Sequence, residues 1–287
     1  MNTAEYLNKW AISYKDDIIN NIMPFWMKYG LDKEHGGVYT CVNRDGSLMD
    51  TTKSVWFQGR FGFIAAYAYN NIEKNPQWLA ASKSCIDFIE AHCFDTDGHM
   101  FFEVTEDGVP LRKRRYVFSE GFAAIAMAEY SLATGEKEYA EKALEIFKRT
   151  QHFLDTPGML EPKYLPAMSS RGHSITMILI NTASRIRMVI DDPVLTEQID
   201  ASIAALRKYF IHPEFKALLE MVGPNGEFID TCNGRVINPG HCIETAWFIM
   251  EEAKYRNWDK DLLQLALQIL DWSWEWGWDK EFGGIIN

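Results

Sequence analysis

The stretch DKEHGGVY at Asp32–Tyr39 returns almost unchanged as DKEFGGII at Asp279–Ile286, about 250 residues later. Between the copies lie three more loops of the same kind: DTDGHMFFEVTEDGVP from Asp95, DTPGMLEPKYLP from Asp155 and HPEFKALLEMVGPNGE from His212. The period is about 60 residues throughout. A unit of that length cannot bury its apolar face alone, so repeated units must stack on one another, and the repeat limits the fold before any single motif does.

Each unit reads loop, helix, short turn, helix. Apolar residues recur at helical spacing over approximately Thr3–Gly30, Val55–Ile72, Pro76–Phe94, Ser119–Thr134, Lys137–Phe153, His173–Ile190, Pro193–Phe210, His241–Tyr255 and Asp259–Trp276. Helices that follow long loops are small and apolar, as in GFAAIAMAEY; those that follow short turns are charged on one face, as in KEYAEKALEIFKR. Alternating buried and half-exposed helices predict an inner and an outer ring. The expected fold is all-α, a single α/α toroid domain over residues 1–287 built from these nine helical segments, with the last loop not followed by its helices. GGVY and MFFEV predict short β-hairpins in the loops, with RDG and EDG as turns. Every long loop precedes an inner helix, so one rim collects the loops and the candidate site.

Composition narrows the function. A formal charge of −11 weighs against nucleic acid and anionic membranes, which reward basic surfaces. No run approaches the roughly 18 apolar residues of a membrane span, and the opening MNTAEYLNKW carries Glu5 and Lys9 where a secretory signal needs an apolar core. A cytoplasmic location is expected. Five cysteines, Cys41, Cys85, Cys93, Cys232 and Cys242, are odd in number and have no C-x-x-C spacing, which fits reduced thiols. There is no H-E-x-x-H and no phosphate cradle, so neither a metal hydrolase nor a metal cofactor is expected.

The starts of the inner helices supply the candidate residues. SVWFQGRFGF places Arg60 a turn inside its helix and Trp56 a turn before it; on an apolar face the guanidinium either pairs with a carboxylate or binds an anion. YVFSEGF offers Ser119 as an N-cap and Glu120 in the first turn, where a carboxylate also suits the helix dipole. RGHSITM puts His173 at a helix start, with Met177 one turn on. NPGHCIETAWF puts Asn238 at the N-cap, Pro239 first in the helix, and His241 three residues before Glu244, so imidazole and carboxylate share a face. A histidine opposed by the helix dipole and supported by a carboxylate suits proton transfer. Glu120 and Glu244 leave a glycosidase-type carboxylate pair open as an alternative.

KSVWFQGRFGF, YVFSEGFAAIAMAEY and NPGHCIETAWF, in this order and at these separations, resemble the N-acylglucosamine 2-epimerase family along the whole chain. The resemblance implies an (α/α)6 toroid of twelve helices, incomplete here with about nine of them, that inverts C2 of a reducing sugar, typically N-acetylglucosamine to N-acetylmannosamine, without a metal. It implies Arg60 as oxyanion-binding arginine, His241 as one of two catalytic histidines and Glu244 as its partner carboxylate. Trp56, Glu120, His173, Met177 and Trp247 are the expected substrate contacts. Another aldose such as mannose or cellobiose, or sugar binding without catalysis, are the alternatives. Some family members respond to nucleotide, and no pattern here marks a nucleotide site.

The family's second catalytic histidine lies on a last inner helix that this sequence does not contain. The expectation is therefore a fragment of a longer product, which alone aggregates or dimerises through its open edge and lacks measurable epimerase activity. Val55–Ile72, His241–Tyr255 and Asp259–Trp276 are the helices expected to expose apolar surface.

Overall fold

The computed structural model describes residues 2–113, 116–161 and 169–286. Residues 162–168 of the loop that begins at Asp155, and Asn287, lie outside them. The described residues divide into two compact units, 1–160 with 188–190, and 161–187 with 191–287.

In the first unit the single helix expected over Thr3–Gly30 is instead α1 (Thr3–Asp17), a wide π turn at Ile18–Ile22, and α2 (Met23–Tyr29). Pro24 explains the break. Proline has no N–H to give and crowds the carbonyl four residues back, so the helix widens just before it, and Met23 N–H reaches Ile18 O instead. At the other end Asn2 and Glu5 cap one another's backbone reciprocally.

α3 (Val55–Asn71), α4 (Pro76–His92), α5 (Phe118–Thr134) and α6 (Lys137–Asp155) follow, with α3 packed on α4 and α5, and α5 on α6. The two compositions read from the sequence become two environments. α5 is buried without interruption from Ser119 to Ser131. α6 buries only Tyr139, Ala140, Ala143, Ile146, Phe147, Thr150 and Phe153, a stripe at three- and four-residue spacing. Close approach of α3 to α5 depends on Gly59, where a Cβ would lie 2.6 Å from the Phe122 backbone.

The loops of this unit carry the expected hairpins. β1 (Cys41–Val42) pairs with β2 (Leu48–Asp50) around Gly46, and β3 (Lys53–Ser54), β4 (Phe101–Val104) and β5 (Pro110–Lys113) form one sheet with Gly108 at the β4–β5 turn. Both glycines have φ near +90°, the conformation for which a turn favours glycine. β3 joins the first loop to the second, and Lys53 reinforces that joint. Its fully buried ammonium donates to Asp32 Oδ2 at 2.7 Å, Gly36 O at 2.8 Å and Glu106 O at 2.7 Å.

The second unit contains β6 (Arg171–Gly172), α7 (His173–Arg187), α8 (Pro193–Ala205) with a π turn at Leu206–Phe210, then β7 (Ile211–His212), β8 (Ala217–Leu218), β9 (Met221–Val222), α9 (Pro239–Tyr255) and α10 (Lys260–Gly277). α7 packs on α8 and α9, and α9 on α10. β7 pairs with β8, and β6 with β9.

The repeated octapeptide is a repeated turn. Asp32 Oδ1 accepts Glu34 N–H and His35 N–H, and Asp279 Oδ1 accepts Glu281 N–H and Phe282 N–H. Gly36 and Gly37, like Gly283 and Gly284, all have positive φ. Antiparallel bridges Leu31–Val38 and Trp278–Ile285 close the two loops. Large apolar side chains are exposed on α3 (Phe57, Ile64), α9 (Trp247, Tyr255) and α10 (Leu267, Trp274, Trp276), the helices expected to show them, and also on α1 (Tyr6, Leu7, Trp10, Ile12, Tyr14).

Candidate active site

The N-terminal end of α9 forms as its sequence dictates. Asn238 accepts His241 N–H at 3.1 Å, and Pro239 occupies the first helical position, where a missing N–H costs nothing. First-turn side chains lean toward the helix N-terminus. His241 accordingly meets the segment between β8 and β9, and Cys242 Sγ reaches Leu218 O at the end of β8, at 3.4 Å. The carboxylate that receives His241 Nδ1 is Glu220 Oε2, at 3.0 Å. The sequence expectation named Glu244 for this part; Glu244 is half-buried one turn further along α9.

His173 reaches the same carboxylate from the opposite direction. β6 pairs with β9 in the register Arg171–Val222 and Gly172–Met221, and His173 N–H donates to Glu220 O at 3.0 Å. That two-residue ladder brings α7's first residue beside Glu220, 47 positions away, and leaves His173 Nδ1 3.5 Å from Glu220 Oε2. His173 is fully buried, with Nε2 2.9 Å from Thr245 Oγ1 and its ring 6.4 Å from that of His241. Thr245 has one proton and donates it to His241 O at 2.9 Å. Its oxygen therefore accepts Nε2–H of His173.

Burial opposes charge on Glu220, but the imidazoles of His173 and His241 beside it outweigh burial and hold its carboxyl at about 2. An ionised Glu220 accepts Nδ1–H of His241, so neutral His241 carries its lone pair on Nε2. Its side chain is 37% exposed, open enough for a reactant to reach. His173, Glu220 and His241 also offer three ligand atoms within 4.8 Å of one another, a cluster with no counterpart in sequence spacing.

The remaining candidates have separate placements. In the second unit Met177 is buried on α7, and Trp247 is exposed beside Phe248. In the first unit Arg60 is exposed with its guanidinium 4.3 Å from the Phe122 ring centre, so the burial cost argued from its apolar helix does not arise. Trp56 packs among Phe102, Phe118 and Phe122. Ser119 is not an N-cap: α5 starts one residue earlier, and Ser119 Oγ donates to Phe101 O at 3.0 Å.

Glu120 is buried. Oε1 accepts Met100 N–H at 2.9 Å, and among the described residues Oε2 has no hydrogen-bond partner. Burial pushes its carboxyl up to about 7, against the opposing pull of the Met100 amide. The folded chain thus binds a proton that the unfolded chain releases between about pH 4.5 and about 7, and this residue's contribution to stability falls as pH rises through that window. At about 1.4 kcal/mol per unit, the loss is on the order of a few kcal/mol. Glu120→Gln is expected to flatten the decline in Tm between about pH 5 and about pH 8. Parallel Tm curves for wild type and variant would contradict this placement.

Among the described residues no helix is long and apolar enough to cross a membrane. The fold matches that of a cellobiose 2-epimerase from Bacillus thermoamylovorans with a TM-score of 0.84 over 97% of this chain and 77% of that one, at 20% identity. It is a helical-hairpin fold of the (α/α)6 class, as the 60-residue repeat and the family resemblance together led us to expect. By sequence the chain is 29% identical to the N-acylglucosamine 2-epimerase of Mus musculus and 30% identical to that of Homo sapiens. Each alignment covers 98% of this chain, and 69% and 67% of those relatives respectively. Fold and relatives together define an isomerase, a carbohydrate epimerase. The chain belongs to the N-acylglucosamine 2-epimerase family, whose profile matches residues 37–287.

Proposed function

We propose that the substrate is N-acetylglucosamine or N-acetylmannosamine in its open-chain form, and that His241 moves the proton at C2. Nε2 takes that proton, and the C–H electron pair passes into the C1 carbonyl to give an enolate, with the oxyanion at C1 and the acetamido nitrogen at C2. Reprotonation from the opposite face yields the epimer. Glu220 keeps Nδ1–H of His241 directed away from the reaction and balances the imidazolium as it forms. Arg60, through the family resemblance, supplies positive charge to the developing oxyanion, and Glu244 enters on the same ground. The observation that carries the reading is the 3.0 Å bond between His241 Nδ1 and Glu220, which orients a half-exposed imidazole.

Loss of the C2 proton to heavy water tests the substrate, because exchange asks for one base whereas inversion asks for two on opposite faces. N-acetylmannosamine is expected to exchange with kcat/KM at least roughly tenfold above mannose and cellobiose, since a site built for the acetamido group leaves polar groups unpaired with the others. Faster exchange on mannose or cellobiose would reassign the substrate.

A further inference from the structure

Glu220 receives two imidazole nitrogens at once, and only one of those contacts is a settled hydrogen bond. His241 Nδ1 lies at 3.0 Å, a good donor distance. His173 is already committed to donating through Nε2 to Thr245, so a neutral His173 turns the lone pair of Nδ1 toward the carboxylate, 3.5 Å away. Lone pair against anion is repulsive. Something positive must lie between them, either a second proton on His173 or a metal cation.

We propose that His173, Glu220 and His241 form a binding site for a zinc-class divalent cation, and that occupancy of this site switches the epimerase off. Two imidazoles and one carboxylate form a donor set that zinc takes in tetrahedral sites, leaving a fourth position for water. Bonds of about 2.0–2.1 Å place tetrahedral ligand atoms about 3.3 Å apart, and the two contacts to Glu220 Oε2, at 3.0 and 3.5 Å, bracket that value. His173 is prepared for the task, because a ligating histidine usually donates its other N–H to a fixed acceptor that sets tautomer and ring plane, as Thr245 does here. Magnesium, which takes octahedral oxygen ligands and sheds water reluctantly, fits this donor set poorly.

Inhibition follows from the tautomer of His241. A cation on Nδ1 displaces the proton given to Glu220, which moves to Nε2 or to solvent. With Nε2 protonated the base is lost; with a fully deprotonated ring excluded near neutrality, the protonated Nε2 form is the one that remains. This part rests on the proposed role of His241, whereas binding of the ion does not.

The test uses chelator-stripped protein titrated with Zn²⁺, with Mg²⁺ in parallel, and with Co²⁺ for the visible bands of a tetrahedral site. One Zn²⁺ per chain is expected, with affinity reduced at least roughly tenfold in Glu220→Gln and in His173→Gln. Binding should persist when the exposed thiols Cys41 and Cys232 are both replaced by serine. Because His173 is fully buried, Glu220→Gln, nearly identical in shape, decides the matter if His173→Gln fails to fold. Binding unchanged by Glu220→Gln, or lost with the two cysteines, would overturn the site. Zinc bound at these residues without suppression of C2 exchange would overturn the switch and the role of His241 together. Absence of zinc binding with exchange still dependent on His241 would overturn the site alone.

Discussion

His241→Asn is expected to lower C2 proton exchange by roughly 100-fold or more, the usual cost of removing a general base. Asparagine keeps a polar group near Glu220 and cannot accept a proton at neutral pH. The fold should survive the change: the Asn238 cap binds the backbone N–H of residue 241, not its side chain, and the imidazole is 37% exposed. Circular dichroism and Tm should therefore stay near wild type. A variant that retains more than about a tenth of kcat would remove His241 from proton transfer.

Lys53→Met is expected to destabilise the first unit by about 3–5 kcal/mol, the usual cost of leaving a buried charge without its counter-ion. Lys53 is fully buried and Asp32 nearly so, 2.7 Å apart, and the same ammonium holds two backbone carbonyls from different loops. Burial works against the Asp32 carboxylate, but the Lys53 hydrogen bond and the amides of His35 and Glu34 hold its pKa below the ordinary value. Methionine replaces the volume and none of the donors. The double variant Lys53→Met, Asp32→Asn should recover part of the loss, because the stranded charge is gone. Denaturant unfolding with a midpoint shift worth less than about 1 kcal/mol would show that the pair contributes little. Asp279 provides the control: it makes the same turn in the second copy of the octapeptide without a buried lysine, so Asp279→Asn should cost under about 1 kcal/mol, the scale of an exposed turn hydrogen bond.

That pair of aspartates marks where sequence reasoning succeeds and where it stops. Asp, Gly-Gly and a following apolar residue encode a turn locally, so the two copies could be matched by eye, and both fold alike. The α5 and α6 compositions, the Asn238–Pro239 start of α9, and the EDG turn are equally local, and each was legible. Glu220 was not. It lies in a loop, in no motif, and its role comes from a two-residue ladder between β6 and β9 that brings it beside His173 while α9 delivers His241. The i, i+3 rule proposed Glu244 for the same part, because spacing along one helix is visible in a sequence and a cross-loop register is not. The same blindness hid the metal-type cluster, whose members lie 47 and 21 residues apart. One signal was available: HPEFKALLEMVGPNGE places a lone glutamate inside an apolar run, ALLEMV, where an unpartnered carboxylate would be costly. For Arg60 only the burial argument was wrong, since an apolar helix in the sequence does not reveal which side of it faces solvent.

Proton exchange in heavy water is the most direct test of the central claim, that His241, oriented by Glu220, removes the proton at C2 of an N-acylated amino sugar. The protein is incubated with N-acetylmannosamine in deuterium oxide and the C2 proton is followed by NMR. Loss of the C2–H signal with wild type, abolished in His241→Asn and weakened in Glu220→Gln, is the result the account predicts. A C2–H signal that persists in the presence of wild-type protein shown to bind the sugar would contradict it, and would leave a carbohydrate-binding chain without catalysis.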